Sequence, residues 1–135
     1  MATRGTITAK MSDGSYKTIY THWDGYPSHN GRLLLQHYST QEAVEKLVAP
    51  GNISSLDESC DCPEGHSFNR PVKGYTVYYG RDRGEPKNEP STGPDARSSM
   101  MNSNYGKQEY NYLWDGEQWT VNGSPLTPQV CKEDE

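Results

Sequence analysis

Residues 7–20 read Ile7-Thr8-Ala9-Lys10-Met11-Ser12-Asp13-Gly14-Ser15-Tyr16-Lys17-Thr18-Ile19-Tyr20, and they predict a β-hairpin. Asp-Gly is a strong signal for a two-residue turn, because both residues accept positive φ. A turn at Asp13-Gly14 sets Met11 opposite Tyr16, Ala9 opposite Thr18 and Ile7 opposite Tyr20. These six side chains then share the core face. Thr6, Thr8, Lys10, Lys17 and Thr21 take the other face. Ile19 falls there too, so the alternation is imperfect and that second face is expected to be partly covered.

The hairpin runs into Tyr20-Thr-His-Trp-Asp-Gly-Tyr-Pro-Ser-His-Asn-Gly-Arg32. Pro27 stops the strand, and Ser28 is expected to cap a helix running to about Tyr38, weakened by Gly31. Ser39-Thr40-Gln41-Glu42 reads as a capping box. Ala43, Val44, Leu47 and Val48 follow as a narrow apolar stripe at helical spacing, which Pro50-Gly51 ends. Residues 52–73 read as a long loop, and Tyr75–Tyr79 as a short strand. Residues 86–104 hold three prolines and little apolar surface, so a mobile loop is expected. A second hairpin is predicted over 108–122 around Asp115-Gly116. Its register sets Trp114 opposite Glu117, Tyr112 opposite Trp119 and Tyr110 opposite Val121. Tyr110, Tyr112, Trp114, Trp119 and Val121 then share one face. The resulting order predicts an α+β domain: an antiparallel sheet of about five strands packed against two helices in two layers. One domain is expected over 1–131, with a flexible internal loop at 86–104 and a charged tail at 132–135.

Composition bounds the chemistry. The chain has 135 residues, a hydrophobic fraction of 31% and a mean hydropathy of -1.01. Tyr occurs 10 times and Phe once, so much of the core must be Tyr and Trp, whose polar ends need partners. A net charge of -5 disfavours a broad nucleic-acid surface. No apolar run is long enough to span a membrane, and the first residues lack a signal peptide's apolar segment; a cytosolic protein is expected. Cys60, Cys62 and Cys131 make no even disulfide framework and are expected as free thiols. Cys60-Asp-Cys62-Pro-Glu-Gly-His66 offers soft ligands at a non-standard spacing, and an acidic surface loop is the stronger reading. No metal and no cofactor are expected.

Two loops carry the candidate site. Arg81 and Arg83, in Tyr78-Tyr-Gly-Arg-Asp-Arg-Gly-Glu85, suit bidentate recognition of phosphate. The helix start at Ser28 would supply backbone N–H groups, with Arg32 one turn further on. Tyr20, Trp23, Tyr26 and Tyr79 could stack on a base. The competing reading is an ion-pair network that holds loop to helix. His22, His29, Asp24 and Asp82 could serve acid–base chemistry. However, no nucleophile elbow, metalloprotease or phosphate-loop motif is present, so no catalytic residue is assigned. His22 is expected to be structural.

His22-Trp-Asp-Gly-Tyr-Pro27, Asn30-Gly-Arg32, Ile53-Ser-Ser-Leu56, Tyr79-Gly-Arg-Asp-Arg-Gly-Glu85 and the Tyr110–Trp114 run resemble a family of small proteins of tailed phages and prophages. The resemblance covers most of the chain outside 86–104, and the Cys60–Cys62 loop departs from it. It implies a phage accessory protein acting in the host bacterial cytoplasm. By analogy a counter-defence role is expected, in one of two forms: sequestration of a phosphate-bearing nucleotide signal, with the pocket commonly at a homo-oligomer interface, or inhibition of a host defence protein in the manner of anti-CRISPR and anti-restriction proteins. A small nucleotide hydrolase is the third alternative.

Overall fold

The computed structural model describes residues 2–133. Among them, eight strands form one mixed sheet: β1 (Gly5–Lys10), β2 (Tyr16–Thr21), β3 (Ile53–Ser55), β4 (Val77–Tyr78), β5 (Ser91–Gly93), β6 (Tyr110–Trp114), β7 (Trp119–Val121) and β8 (Ser124–Pro125). Their order is β4-β3-β2-β1-β6-β7-β8, and β5 also pairs with β2. Five α-helices accompany them: α1 (Arg32–His37), α2 (Gln41–Val48), α3 (Tyr79–Arg83), α4 (Ala96–Met101) and α5 (Pro128–Glu133). A π-helical turn, Pro27–Gly31, leads directly into α1. The expected antiparallel sheet of five strands with two helices is therefore corrected. β1 pairs with β6 in parallel, and β2 with β3 in parallel.

Both Asp-Gly hairpins form, but in other registers. In the first, Lys10 pairs with Tyr16 and Ile7 with Ile19. The Met11 N–H donates to the Ser15 carbonyl at 2.7 Å, and Gly14, at φ +88°, closes a three-residue loop. One extra loop residue flips one strand's faces relative to the other. Ile19 thereby joins Ile7 and Ala9 on the core face. Thr6, Thr8, Thr18 and Tyr20 share the opposite face. The imperfect alternation at Ile19 was the trace of this slip. In the second hairpin Trp114 pairs with Trp119 and Tyr112 with Val121. This register differs by two residues from the expected one, so the same face stays inward.

The core lies between the inward face and the helices α1, α2 and α5. Ile7, Ile19, Val44, Leu47, Val48 and Trp119 are wholly or almost wholly buried in it. Its aromatics have partners for their polar ends, as burial demands. Trp119 Nε1 donates to the Tyr38 carbonyl at 2.8 Å, Trp114 Nε1 to Gln41 Oε1 at 2.7 Å and the Tyr112 hydroxyl to the Gly25 carbonyl at 2.6 Å. Helix α2 starts one residue later than the expected box. Thr40 is its N-cap and accepts from the Ala43 N–H at 3.2 Å, while the Ser39 hydroxyl turns back to the Leu35 carbonyl.

Residues 86–104, read from sequence as a loop, hold β5 and α4. The helix lies on the threonine face of β1 and β2, which makes a third layer. The contact is built from hydroxyls. Thr8 Oγ1 and Thr18 Oγ1 are 2.8 Å apart, Thr18 Oγ1 and Ser99 Oγ 2.8 Å, and Ser91 Oγ donates to the Ser99 carbonyl at 2.8 Å. Gly93 lets the strap close: a Cβ there would sit 2.5 Å from the Ser99 nitrogen. Exchange of the Ser99 amide, bonded to the Asp95 carbonyl inside this layer, is expected to be about tenfold faster in Gly93→Ala than in the wild type. Amide exchange read by NMR checks this, and unchanged protection would speak against a packed strap.

Candidate functional site

Strand β4 ends at Tyr78, and the chain turns at once into α3. Gly84, at φ +76°, closes that turn. Its N–H donates to the Gly80 carbonyl, and the Glu85 N–H donates to the Tyr79 carbonyl. Asp82 points inward from this turn, with its side chain fully buried. Its Oδ2 accepts from the Tyr78 N–H at 2.8 Å, and its Oδ1 from Arg81 Nε at 2.8 Å. His66 Nε2 is 3.3 Å from Oδ2. The Val72 N–H donates to His66 Nδ1 at 2.9 Å, which leaves the ring proton on Nε2, facing Asp82 and the Thr76 carbonyl. Burial alone would raise the Asp82 pKa. The Arg81 guanidinium and the Tyr78 N–H outweigh it and hold the carboxyl below its ordinary range.

Arg81 is committed to the same network. Its NH1 donates to the Cys60 carbonyl at 2.7 Å, and its NH2 to the Thr76 carbonyl at 3.2 Å. Its guanidinium lies 4.5 Å over the Tyr78 ring. Arg81 thus fastens the 60–66 loop to α3. Arg83 points outward, half exposed, with its guanidinium 4.7 Å over the Phe68 ring and 3.9 Å from Glu85. The two arginines do not converge.

The remaining expected site residues are scattered. Ser28 lies inside the π-helical turn, because Tyr26 is the N-cap and Pro27 the first residue. Pro27 starts this helix, whereas the strand has already ended at Thr21. Arg32 donates to the Ser28 carbonyl and to Gln36, on the α1 side facing α5. The Tyr26 hydroxyl donates to Asp24 at 3.0 Å.

Trp23 and Tyr79 are both held by the β3 segment, beside residues outside the expected set. The Ser54 carbonyl accepts from the Trp23 N–H at 3.0 Å, and the Asn52 carbonyl accepts from the Tyr79 N–H at 3.2 Å. Trp23 meets His22 edge-on at 4.7 Å, and His22 Nδ1 is 2.7 Å from the Tyr20 hydroxyl. Tyr105 stacks flat on Tyr20, with ring centroids 3.9 Å apart. On the far side Tyr79 packs on Phe68, which carries Arg83. Partial burial, with Arg4 nearby, lowers the His22 pKa, so that ring is neutral near pH 7. The result is an aromatic ledge. Its outer rings, Trp23 and Tyr105, are 44% and 45% exposed. Tyr105 gave no local signal, because it lies just beyond a segment read as a loop and meets Tyr20 only through the fold.

Cys60 and Cys131 are buried and Cys62 is exposed. Among the described residues no three His, Cys, Asp or Glu side chains are grouped to hold a metal. Among them, too, no helix is long and apolar enough to cross a membrane. No protein-family model matches the chain, and neither a curated protein nor a solved structure matches it.

Proposed function

We propose that this chain is a phage accessory protein that acts in the host cytoplasm as a counter-defence factor, and that it works by covering a host defence protein with the aromatic ledge. The phage setting rests on the motif resemblance. The observation that carries the binding mode is the pair of half-exposed rings, Trp23 and Tyr105, continuous through His22 and Tyr20. Trp, Tyr and Arg supply most of the anchoring energy in protein interfaces, and the ledge offers all three. It is open, as suits a macromolecular partner.

Nucleotide sequestration is the second reading. Arg83 favours it, since its guanidinium remains outward beside Tyr79 and Phe68. It is weakened by the commitment of Arg81 to backbone carbonyls. Hydrolysis draws no support from Asp82, whose carboxylate is buried and engaged by the Tyr78 N–H and Arg81.

The test is phage plating on hosts that carry individual defence systems, with wild type or Trp23→Ala/Tyr105→Ala supplied in trans. Wild type is expected to restore plating against one system. The double variant should bind that system's target about thirtyfold or more weakly. Trp23→Ala alone should leave stability within about 0.5 kcal/mol of wild type, as surface changes do. Equal rescue by both proteins would sink the ledge as contact surface. Tight calorimetric binding of a cyclic dinucleotide or an ADP-ribose derivative, lost in Arg83→Ala, would favour sequestration instead.

A further inference from the structure

We propose a second site, distinct from the ledge: a cleft on the outer face of the sheet that takes a small molecule with an apolar body and one anionic group, of the class of a single-ring carboxylate. Helix α4 covers β1 and β2 but stops short of β6 and β7. This leaves a hollow of about 240 Å³, whose floor is Thr8, Leu113 and Thr120. Ala96 and Met100 of α4 form one wall, and the Asn122-Gly123 turn forms the other. Common ligand pockets run from about 300 to 1,000 Å³, so the space suits one ring or a short acyl chain and excludes a dinucleotide.

The polar atoms of the cleft decide the ligand chemistry. Asn111 is fully spent. Its Oδ1 accepts from Thr6 Oγ1 at 2.8 Å and from the Gln108 N–H at 3.0 Å, and its Nδ2 donates to the Gln108 carbonyl at 2.7 Å. Asn122, at φ +49°, accepts from the Asn111 N–H at 2.9 Å and donates to the Glu109 carbonyl. These amides therefore give the wall its shape and offer little to a ligand. Lys107 is the one charged residue lining the cleft, and among the described residues no carboxylate lies within ion-pair distance of it. A ligand matched to this arrangement lays its apolar body on Leu113 and the threonine methyls. It concentrates its polarity in a single anion at the Lys107 end.

The experiment is an amide NMR titration of the full chain with benzoate, and with benzamide as the uncharged isostere. Benzoate is expected to shift the amides of 96–100 and 120–123 saturably in the millimolar range. Benzamide should bind about fivefold more weakly, the worth of one exposed charge pair. Lys107→Glu should weaken benzoate about tenfold and leave benzamide unchanged. Ala96→Leu and Thr120→Trp fill the cleft from its wall and from its floor, and either should abolish binding of both probes. Shifts confined to Trp23 and Tyr105, equal binding of benzoate and benzamide, or indifference to Lys107→Glu would each overturn the proposal. Lys107→Glu is a surface change, so the test remains decisive even where a filling variant does not fold.

Discussion

Asp82→Ala is expected to cost about 3–5 kcal/mol of stability, the usual consequence of removing one partner from a buried charge pair. The carboxylate has no contact with solvent, and besides a weak bond from Cys62 Sγ at 3.7 Å three groups depend on it. The Tyr78 N–H loses its acceptor at the end of β4. His66 Nε2 keeps only the Thr76 carbonyl. Arg81 keeps its carbonyl bonds but is left as a partly buried cation without a counter-charge. Arg81→Ala should fall in the same class, since it strips the counter-charge from Asp82, frees the Cys60 carbonyl and leaves the Thr76 carbonyl with His66 alone. Asp82→Asn tests whether charge or acceptor geometry matters more, because it keeps one oxygen but points an N–H₂ at a neighbouring donor. Urea unfolding of the three variants decides. A loss below about 1 kcal/mol in Asp82→Ala would mean that the network is dispensable, which is typical only of exposed pairs.

The same residue sets a pH dependence. Its carboxyl is held below the ordinary range in the folded chain. Its contribution is therefore complete above the unfolded value of about 4 and is lost as pH falls through the folded value. Wild type should lose stability on acidification below about pH 4 more steeply than Asp82→Ala. Matching slopes would show that Asp82 is not the group titrating.

What was legible in the sequence and what was not divides along physical lines. Turn chemistry is local, so Asp13-Gly14 and Asp115-Gly116 could be read as hairpins, and Thr40 to Val48 as an amphipathic helix. Register is less local. One additional loop residue at Ser12–Gly14 moved Ile19 to the core, and only its misplaced polarity hinted at this. The parallel pairing of Ile7 with Tyr112 joins residues about a hundred positions apart, and no turn announces it. Residues 86–104 read as a loop because such a reading counts apolar surface. Their docking uses Ser91, Ser99 and Thr18, whose hydroxyls satisfy one another. For the same reason the candidate site was only half legible. Arg81 and Arg83 look alike in a one-residue spacing. The carbonyls of Cys60 and Thr76, which claim Arg81, and the Phe68 ring, which holds Arg83 outward, become neighbours only in the folded chain.

Gly51→Ala is expected to lower stability by about 2–4 kcal/mol, combining left-handed strain of about 1 kcal/mol with overpacking of about 1–3 kcal/mol. Gly51 sits at φ +100°, where any Cβ is strained, and that Cβ would lie 1.9 Å from the Asn88 carbonyl oxygen. The obstacle is backbone, so it cannot rotate away. The position matters because Asn52, next in the chain, joins three parts of the fold. Its N–H donates to the Asn88 carbonyl at 2.9 Å, and its Oδ1 accepts from the Tyr20 N–H at 2.8 Å. Its carbonyl accepts from the Tyr79 N–H at 3.2 Å. Displacing Asn88 to admit a methyl group therefore loosens the entry to the α4 strap, the base of Tyr20 beneath the ledge and the start of α3 together. Gly14→Ala is the control. It too has positive φ, but nothing lies within 4 Å of its would-be Cβ, so it should cost only the strain, about 1 kcal/mol. Thermal or urea unfolding of the pair separates the two contributions. Equal losses would mean that conformational strain alone acts at Gly51, and that Asn88 and the strap it anchors give way at little cost.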